Sequence, residues 1–146
     1  MTGHSSDEIR GRVREQAGNR CGYCLSPQHL VLGPLEIEHI LPQSAGGSDD
    51  ETNLWLACRL CNCFKASQTS GTEPETGQLV ELFHPRKQHW HDHFEWSPAG
   101  TQIVGKTPCG RATVVALKLN NLLAVTVRCY WVQAGWHPPT QPLPDR

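Results

Sequence analysis

The spacing of apolar residues predicts a short amphipathic helix near the start of the chain. Ile9, Val13 and Ala17 recur at intervals of four residues and share one face of a helix over residues 5–17. Gly18 follows and can end the helix. We therefore expect an N-terminal helix whose apolar face contacts the core.

Alternation of apolar and polar residues predicts two strands after this helix. The first extends from Leu30 to Ile40, and the second covers residues 53–57, with a loop over residues 42–50 between them. A helix is expected from about residue 58 to Ser67. The expected faces of the first strand are Leu35, Ile37 and His39 on one side, and Glu36, Glu38 and Ile40 on the other.

The second half of the chain is predicted to contain a hairpin and an interrupted helix. The hairpin turns around residues 97–100, and the helix covers residues 108–133 with a break near Asn120. Residues 67–77 have the composition of a linker. Residues 137–146 are rich in proline, so we expect a flexible tail.

Length and composition favour a small α+β protein. The chain has 146 residues, of which 38% are apolar and 24 are Gly or Pro, from counts of 13 and 11. A core of that size benefits from an additional crosslink. We expect residues 1–68 to form one module and residues 69–146 to pack on it, giving a single compact domain. No apolar run is long enough to span a membrane and no secretory signal is recognisable, so a cytoplasmic location is expected.

The charges are unevenly distributed, although the net charge is only −1. Residues 96–144 contain no Asp or Glu and carry four basic residues, whereas acidic residues concentrate in residues 36–51. Such a distribution can place a basic face beside an acidic pocket. A solvated surface without a partner explains the charges equally well.

Four of the seven cysteines have the spacing of metal ligands. Cys21 and Cys24 form one Cys-x-x-Cys pair, and Cys58 and Cys61 form another. Zinc prefers tetrahedral sulfur coordination, and each such turn supplies two thiolates. Because protein atoms would occupy all four positions, we expect a structural Zn²⁺ ion without an open coordination position.

The 33 residues between the two pairs exceed the spacing of roughly 15–20 in an ordinary zinc ribbon, so a sizeable element must lie between them. The alternative for the pairs is two redox-active dithiols. The three remaining cysteines lack a partner at ligand spacing and are expected to be buried small residues. They are Cys63, Cys109 and Cys129.

The element between the cysteine pairs carries residues suited to phosphodiester chemistry. His39 can take a proton from water near neutral pH, and Glu38 offers oxygen atoms that suit Mg²⁺ or Mn²⁺. Asn62 directly follows a predicted zinc ligand, and its amide oxygen can be a second metal ligand. Lys65 lies one helical turn further and can contact a phosphate.

The segment resembles the HNH endonuclease family in "EHILP", in "NLWLACRLCN" and in the Lys at position 65, with Cys-x-x-Cys pairs on both sides. The resemblance covers roughly residues 10–68. It implies a ββα-metal (His-Me finger) core with a structural zinc ion and a C-terminal helical extension. The segments "HPRKQHWHDHFEW" and "GRATVVALKLN" accompany many small bacterial members, although His84 stands where Asn is expected.

Matching the motif residue by residue implies a role for each member of the site. His39 would be the general base, and Glu38 would bind the metal at a position where the family usually has Asp or His. Asn53 would be the structural asparagine that braces the loop beneath His39. Asn62 would be the second metal ligand. Arg59 or Lys65 would neutralise charge on the phosphate.

The resemblance thus implies hydrolysis of DNA phosphodiester bonds with one Mg²⁺ or Mn²⁺ ion. One such module cuts one strand, so a monomer would nick DNA and a homodimer could break both strands. A zinc-containing module that binds nucleic acid without cutting it is the first alternative. A redox or zinc-responsive protein is the second, but it would leave His39 and the asparagines without a purpose.

Overall fold

The computed structural model describes residues 3–140 and residue 143, over which helices alternate with short strands, as the predicted α+β class requires. The chain divides into two units. Of the described residues, the first contains the chain through Ser67 together with residues 84–86 and residue 143, and the second contains residues 68–83 and 87–140. Packing of residues 69–146 on residues 1–68 as a single domain stays a prediction.

The first unit contains two helices and a two-stranded antiparallel sheet. The predicted N-terminal helix is confirmed, and it packs against the second strand through a face that includes the fully buried Val13. The helix after the second strand is also confirmed. The elements are α1 (Gly3–Gln16), β1 (Glu36–His39), β2 (Leu54–Ala57) and α2 (Arg59–Lys65).

The first strand is much shorter than predicted. Residues 28–30 form a single turn of 3-10 helix, and only Glu36–His39 pair with β2. Gly33 and Pro34 separate the two segments, and proline has no N–H group to donate to a strand ladder. Glu36 lies opposite Ala57 and His39 lies opposite Leu54 in the register.

The core of the first unit lies around this sheet. Trp55 and Leu56 of β2 are almost fully buried, and the guanidinium carbon of Arg86 lies 5.0 Å from the centroid of the Trp55 ring. Arg86 also donates hydrogen bonds to the carbonyl oxygen of Leu54 (2.9 Å) and the side chain of Gln16 (2.7 Å). One arginine therefore links α1 and β2 and covers the indole.

The second unit contains two hairpins and three helices. The hairpin predicted around residues 97–100 is confirmed, and so is the helix that breaks near Asn120. The side chain of Asn121 accepts a hydrogen bond from the Ala124 N–H group and so caps the second helical segment. The elements are β3 (Ser70–Thr72), β4 (Leu79–Glu81), α3 (Trp90–His93), β5 (Phe94–Trp96), β6 (Ile103–Gly105), α4 (Pro108–Ala116) and α5 (Leu122–Gln133).

The prediction of a linker over residues 67–77 is wrong. Ser70–Thr72 pair antiparallel with Leu79–Glu81, and the carboxylate of Glu73 organises the turn between them. Glu73 is fully buried and accepts hydrogen bonds from the backbone of Glu75 (2.9 Å) and of Thr76 (2.6 Å) and from Arg111. Polar composition did not predict this hairpin, because its order comes from the buried Glu73 carboxylate and its ion pair with Arg111.

Burial alone would raise the pKa of Glu73, but hydrogen bonds from Arg111 and Thr76 outweigh it and lower the pKa to about 2. The ionised form is therefore the one that the fold stabilises.

Two of the four basic residues expected on a basic face are engaged within the second unit. Arg111 forms ion pairs with Glu73 and Glu75. Arg128 is 2% exposed and donates hydrogen bonds to the carbonyl oxygens of Leu119 (2.7 Å) and Thr101 (3.1 Å). Both guanidinium groups stabilise the fold, so the charge count overstated the basic surface.

None of the helices in the described residues has the length and apolar character that crossing a membrane requires. Of the tail predicted at residues 137–146, residues 141, 142 and 144–146 lie outside the described residues.

We expect Glu73→Gln to lower the free energy of unfolding, because Arg111 would lose its buried partner. Since the pKa of Glu73 is lowered by folding, its ionised form stabilises the protein fully above about pH 4.5, and this stabilisation is lost as the pH falls toward about 2. The difference between wild type and variant should thus be largest at neutral pH and smaller at about pH 3. Urea unfolding followed by tryptophan fluorescence measures it.

Glu75→Gln is the matched control, since Glu75 contacts the same arginine from an exposed position. A Glu73→Gln variant as stable as this control at neutral pH would contradict the assignment.

Candidate metal centre and catalytic site

Four cysteine side chains meet in the first unit. The sulfur atoms of Cys21, Cys24, Cys58 and Cys61 all lie within 4.8 Å of one another. The Cys24 and Cys58 sulfurs are 3.7 Å apart, close to the separation of about 3.8 Å expected for two ligands of a tetrahedral zinc ion with Zn–S bonds of about 2.3 Å. The four residues predicted from the sequence therefore form a cluster that can hold structural zinc.

Local hydrogen bonds prepare both pairs for this role. The Cys21 sulfur accepts a hydrogen bond from the Tyr23 N–H group (3.5 Å), and the Cys58 sulfur accepts one from the Cys61 N–H group (3.4 Å). Cys58 is thereby the N-cap of α2, so this helix begins at the cluster. Burial raises the pKa of the Cys21 thiol well above its ordinary value, and a bound cation would stabilise the thiolate.

The cysteines outside the cluster differ from expectation. Cys63 and Cys129 are exposed and Cys109 is half-buried, so the prediction of three buried small residues is wrong for two of them. Cys63 lies in α2, two residues beyond Cys61, and helical geometry turns it away from the cluster.

His39 lies at the end of β1, where a carboxylate contacts its ring. The Nε2 atom of His39 is 2.7 Å from Oδ1 of Asp49 and 3.4 Å from the side-chain nitrogen of Gln43. Gln43 also donates a hydrogen bond to the same Asp49 oxygen (3.0 Å). The His39 side chain is 31% exposed, so a substrate can reach the ring from solvent.

Asn53 ties together two parts of the loop that surrounds His39. Its side-chain oxygen accepts a hydrogen bond from the Leu41 N–H group (2.8 Å), and its side-chain nitrogen donates to the carbonyl oxygens of Leu41 (3.0 Å) and Ser48 (2.8 Å). Gly47 lies inside this loop, where a Cβ atom would stand 1.7 Å from the Leu41 carbonyl oxygen. The amide and the glycine together fix the chain just after His39 and just before Asp49.

Glu38 faces the interior and is 4% exposed. One carboxylate oxygen accepts a hydrogen bond from the Tyr23 hydroxyl, and the other lies 3.7 Å from the ammonium group of Lys65. Lys65 is 2% exposed and also donates a hydrogen bond to the Ile40 carbonyl oxygen (2.9 Å). Burial raises the pKa of Glu38, whereas Lys65 and Tyr23 act in the opposite direction.

A second carboxylate of β1 lies beside Asn62. Oε1 of Glu36 accepts a hydrogen bond from the Asn62 side chain (2.8 Å), and Oε2 lies 3.2 Å from a guanidinium nitrogen of Arg59. Arg59 is 80% exposed along its side chain and Glu36 is 30% exposed. This group is accessible to solvent, unlike the pair of Glu38 and Lys65.

The predicted site residues are thus divided between neighbouring groups. Glu38, the predicted metal ligand, contacts Tyr23 and Lys65, while Asn62, its predicted partner, contacts Glu36. Lys65 turns inward and would have to leave both of its partners to contact a phosphate.

Glu36 and Asp49 were not among the residues predicted for the site. Glu36 was visible only as the residue two before Glu38 on the same strand face, and Asp49 as one acid in a Gly-rich loop. Neither residue lies at a distinctive spacing from the motif, so only the side-chain contacts in the structure identify the two residues.

The donor set fits a hard divalent cation. Carboxylate and amide oxygens are the protein ligands of Mg²⁺, and one or two of them suffice because water and phosphate complete the octahedron. The 2.8 Å contact joins Oε1 of Glu36 to the side-chain nitrogen of Asn62, so a cation held by both residues would need the amide turned with its oxygen toward Glu36. The residue types that face each other between β1 and α2 are those that this cation prefers.

We expect Cys58→Ala to lose the bound zinc and to unfold, because structural zinc contributes on the order of 10 kcal/mol of binding free energy to folding. Elemental analysis of the dialysed protein should find one zinc per chain in wild type. Cys63→Ala is the matched control in the same helix and should keep its zinc. Equal zinc content in the two variants would contradict the cluster as the zinc site.

Comparison with known proteins supports this segment as a recognised domain. A search of curated proteins and a search of solved structures each found no match. A family model described as HNH endonuclease matches residues 21–68, which include all four clustered cysteines and every residue of β1, β2 and α2. Domains of this family are commonly endonucleases that use metal ions, so the match indicates nuclease or nucleic-acid-binding activity. Residues 21–68 of this chain therefore match the HNH endonuclease family.

Proposed function

We propose that this protein is a metal-dependent endonuclease that hydrolyses DNA phosphodiester bonds. One observation carries the proposal. His39 lies at the end of β1, where its imidazole is accessible to solvent and is held by a carboxylate and by the loop that Asn53 braces. The carboxylates of the same strand contact Asn62 and Lys65 of α2. A base for water and oxygen donors for a cation are the two requirements of hydrolysis by this class of nuclease.

Asn62 and a carboxylate of β1 would hold Mg²⁺ or Mn²⁺. Glu38 is the ligand that the motif implies, and Glu36 is the carboxylate already beside Asn62. Because side chains alternate between the two faces of a strand, Glu36 and Glu38 lie on the same face of β1, and this strand contacts α2. The bound ion would polarise the scissile phosphate and stabilise the charge on the leaving 3′ oxygen.

His39 would act as the general base. Its ring takes a proton from a water molecule, and the water oxygen forms a bond to phosphorus as the bond from phosphorus to the 3′ oxygen breaks. The expected products carry a 5′-phosphate and a 3′-hydroxyl. Arg59, which is exposed beside Glu36, can neutralise charge on the phosphate.

Lys65 would contribute to catalysis from its buried position. Its ammonium group holds the Ile40 carbonyl oxygen directly after His39 and also lies near Glu38. This gives Lys65 a positioning role in addition to the phosphate contact expected from its place in the motif. One domain of this kind cuts one strand, so a monomer nicks and a homodimer can cut both strands.

A zinc-containing module that binds nucleic acid without cutting is the second candidate. The pairing of Glu38 with Lys65 favours it, because an ion pair in the interior occupies the carboxylate that the motif assigns to the metal. Binding alone needs no base at position 39, and this difference separates the two candidates.

We expect the wild-type protein to nick supercoiled plasmid DNA with Mg²⁺ or Mn²⁺ and His39→Ala to lose this activity, because no other group would deprotonate the attacking water. Gel electrophoresis of the plasmid measures the nicking. His29→Ala, an exposed histidine of the same unit, is the control and should cut like wild type. Zinc content should be equal in all three proteins.

If wild type binds DNA but leaves it intact with every divalent metal, the binding candidate replaces the nuclease. Equal nicking by His39→Ala would remove His39 from the mechanism.

Binding of Mn²⁺ tests the ligands without any substrate. We expect Asn62→Ala to weaken Mn²⁺ binding by about tenfold or more, equivalent to about 1.4 kcal/mol, because it removes one oxygen donor. The electron paramagnetic resonance signal of free Mn²⁺ gives the affinity. The carboxylate ligand is the one whose change to Gln, in Glu36→Gln or Glu38→Gln, weakens Mn²⁺ binding by the same factor. Glu15→Gln is the control, because Glu15 is an exposed carboxylate on α1. Unchanged affinity in Asn62→Ala would place the cation elsewhere.

A further inference from the structure

The carboxylate on the His39 ring determines which ring nitrogen can act as a base. An ionised carboxylate only accepts hydrogen bonds, so the 2.7 Å contact requires a proton on Nε2. In a neutral imidazole the lone pair then lies on Nδ1. Within the part of the chain that the structure describes, the hydrogen bond of this ring is the one from Nε2 to Asp49, because the Gln43 nitrogen 3.4 Å from Nε2 is also a donor and bonds to Asp49 instead. Nδ1 therefore remains available to water.

Asp49 has the protonation state that this contact needs. The hydrogen bond with His39 holds the pKa of Asp49 below its ordinary value, and a second hydrogen bond from Gln43 acts in the same direction. Asp49 is therefore ionised at neutral pH, where it accepts from Nε2 and has no proton to return to it.

The loop holds Asp49 and His39 at a fixed separation. Asn53 joins the Leu41 backbone, two residues after His39, to the Ser48 carbonyl oxygen, one residue before Asp49. The backbone of Gly47 adds a hydrogen bond to the Pro42 carbonyl oxygen (2.9 Å). The asparagine thus braces both ends of the contact between the imidazole and the carboxylate.

Stability is a poor explanation for this contact. The Asp49 side chain is 72% exposed, and exposed ion pairs contribute only about 0–1 kcal/mol to folding. A hydrogen bond at this position does little for the fold, but it sets the orientation and tautomer of the one imidazole at the end of β1.

We propose that Asp49 is a positioning residue that holds His39 in the Nε2–H tautomer and directs Nδ1 toward the attacking water. The proposal rests on the proposed nuclease function and adds a residue to it. Asp49 acts through His39 and makes no contact with the substrate.

A spectroscopic test needs no substrate and is therefore independent of the nuclease assignment. Long-range ¹H–¹⁵N spectra at about pH 8 report which nitrogen of a histidine ring carries the proton. Wild type and the control Asp50→Asn should show His39 protonated at Nε2 alone, and Asp49→Ala should show a mixture of tautomers. Identical His39 signals in all three proteins would overturn the proposal, whether or not the protein cuts DNA.

The kinetic test separates positioning from a structural role. We expect Asp49→Ala to lower kcat for plasmid nicking by about 10- to 100-fold, the usual loss when an orienting partner is removed, with KM, zinc content and thermal stability unchanged. Asp50→Asn should behave as wild type. An unchanged kcat, or a loss explained by reduced stability, would contradict the proposal.

A double-mutant cycle establishes whether Asp49 acts through His39. In the His39→Ala background, Asp49→Ala should cause no further loss of the residual nicking rate measured over long incubations, because the group it orients is already absent. A further loss of the same size as in wild type would show that Asp49 acts independently of His39, and the proposal would fail.

Discussion

The convergence of four cysteine sulfurs is the constraint on which the first unit depends. Cys58 and Cys61 belong to the first turn of α2, and Cys21 and Cys24 belong to a turn that precedes β1 by more than ten residues. Holding these sulfurs within 4.8 Å therefore fixes where α2 begins relative to the rest of the unit. The orientation of Asn62 and Lys65 follows, because both project from this short helix toward β1.

The interior between β1 and α2 contains charges that a small core rarely tolerates. Glu38 and Lys65 are both almost fully buried, and their ion pair is joined by hydrogen bonds from the Tyr23 hydroxyl and to the Ile40 carbonyl oxygen. Removing one partner of such a pair leaves an unpaired buried charge, which costs several kcal/mol. This arrangement connects the metal cluster, through Tyr23, to the end of the strand that presents His39.

The sequence predicted the elements well where a local rule determines them. The cysteine spacing identified the cysteine cluster, apolar periodicity identified α1, and the break near Asn120 identified the two segments of the C-terminal helix. Prediction of the first hairpin of the second unit failed because its order comes from a contact distant in sequence. The hairpin at Ser70–Thr72 depends on the pairing of Glu73 with Arg111, 38 residues away, and its polar composition is that of a linker.

The prediction of the site from the sequence was also incomplete. His39, Asn53 and Asn62 were visible as members of a motif, and the structure adds that Asn53 braces the loop. The carboxylates that contact His39 and Asn62 were not predicted, because Asp49 and Glu36 occupy ordinary positions in a loop and a strand. Strand alternation placed Glu36 and Glu38 on one face but could not distinguish the buried residue from the accessible one.

A zinc ion among the four cysteines would thus orient a separate hydrolytic metal site beside His39. Diffraction from crystals of the protein with Mn²⁺ and a DNA duplex, measured at the zinc and manganese absorption edges, would locate both ions. We expect a zinc peak among the four cysteine sulfurs and a manganese peak between Asn62 and a carboxylate of β1, with a scissile phosphate facing Nδ1 of His39. A manganese peak only at the sulfurs, or a phosphate bound away from His39, would refute this arrangement.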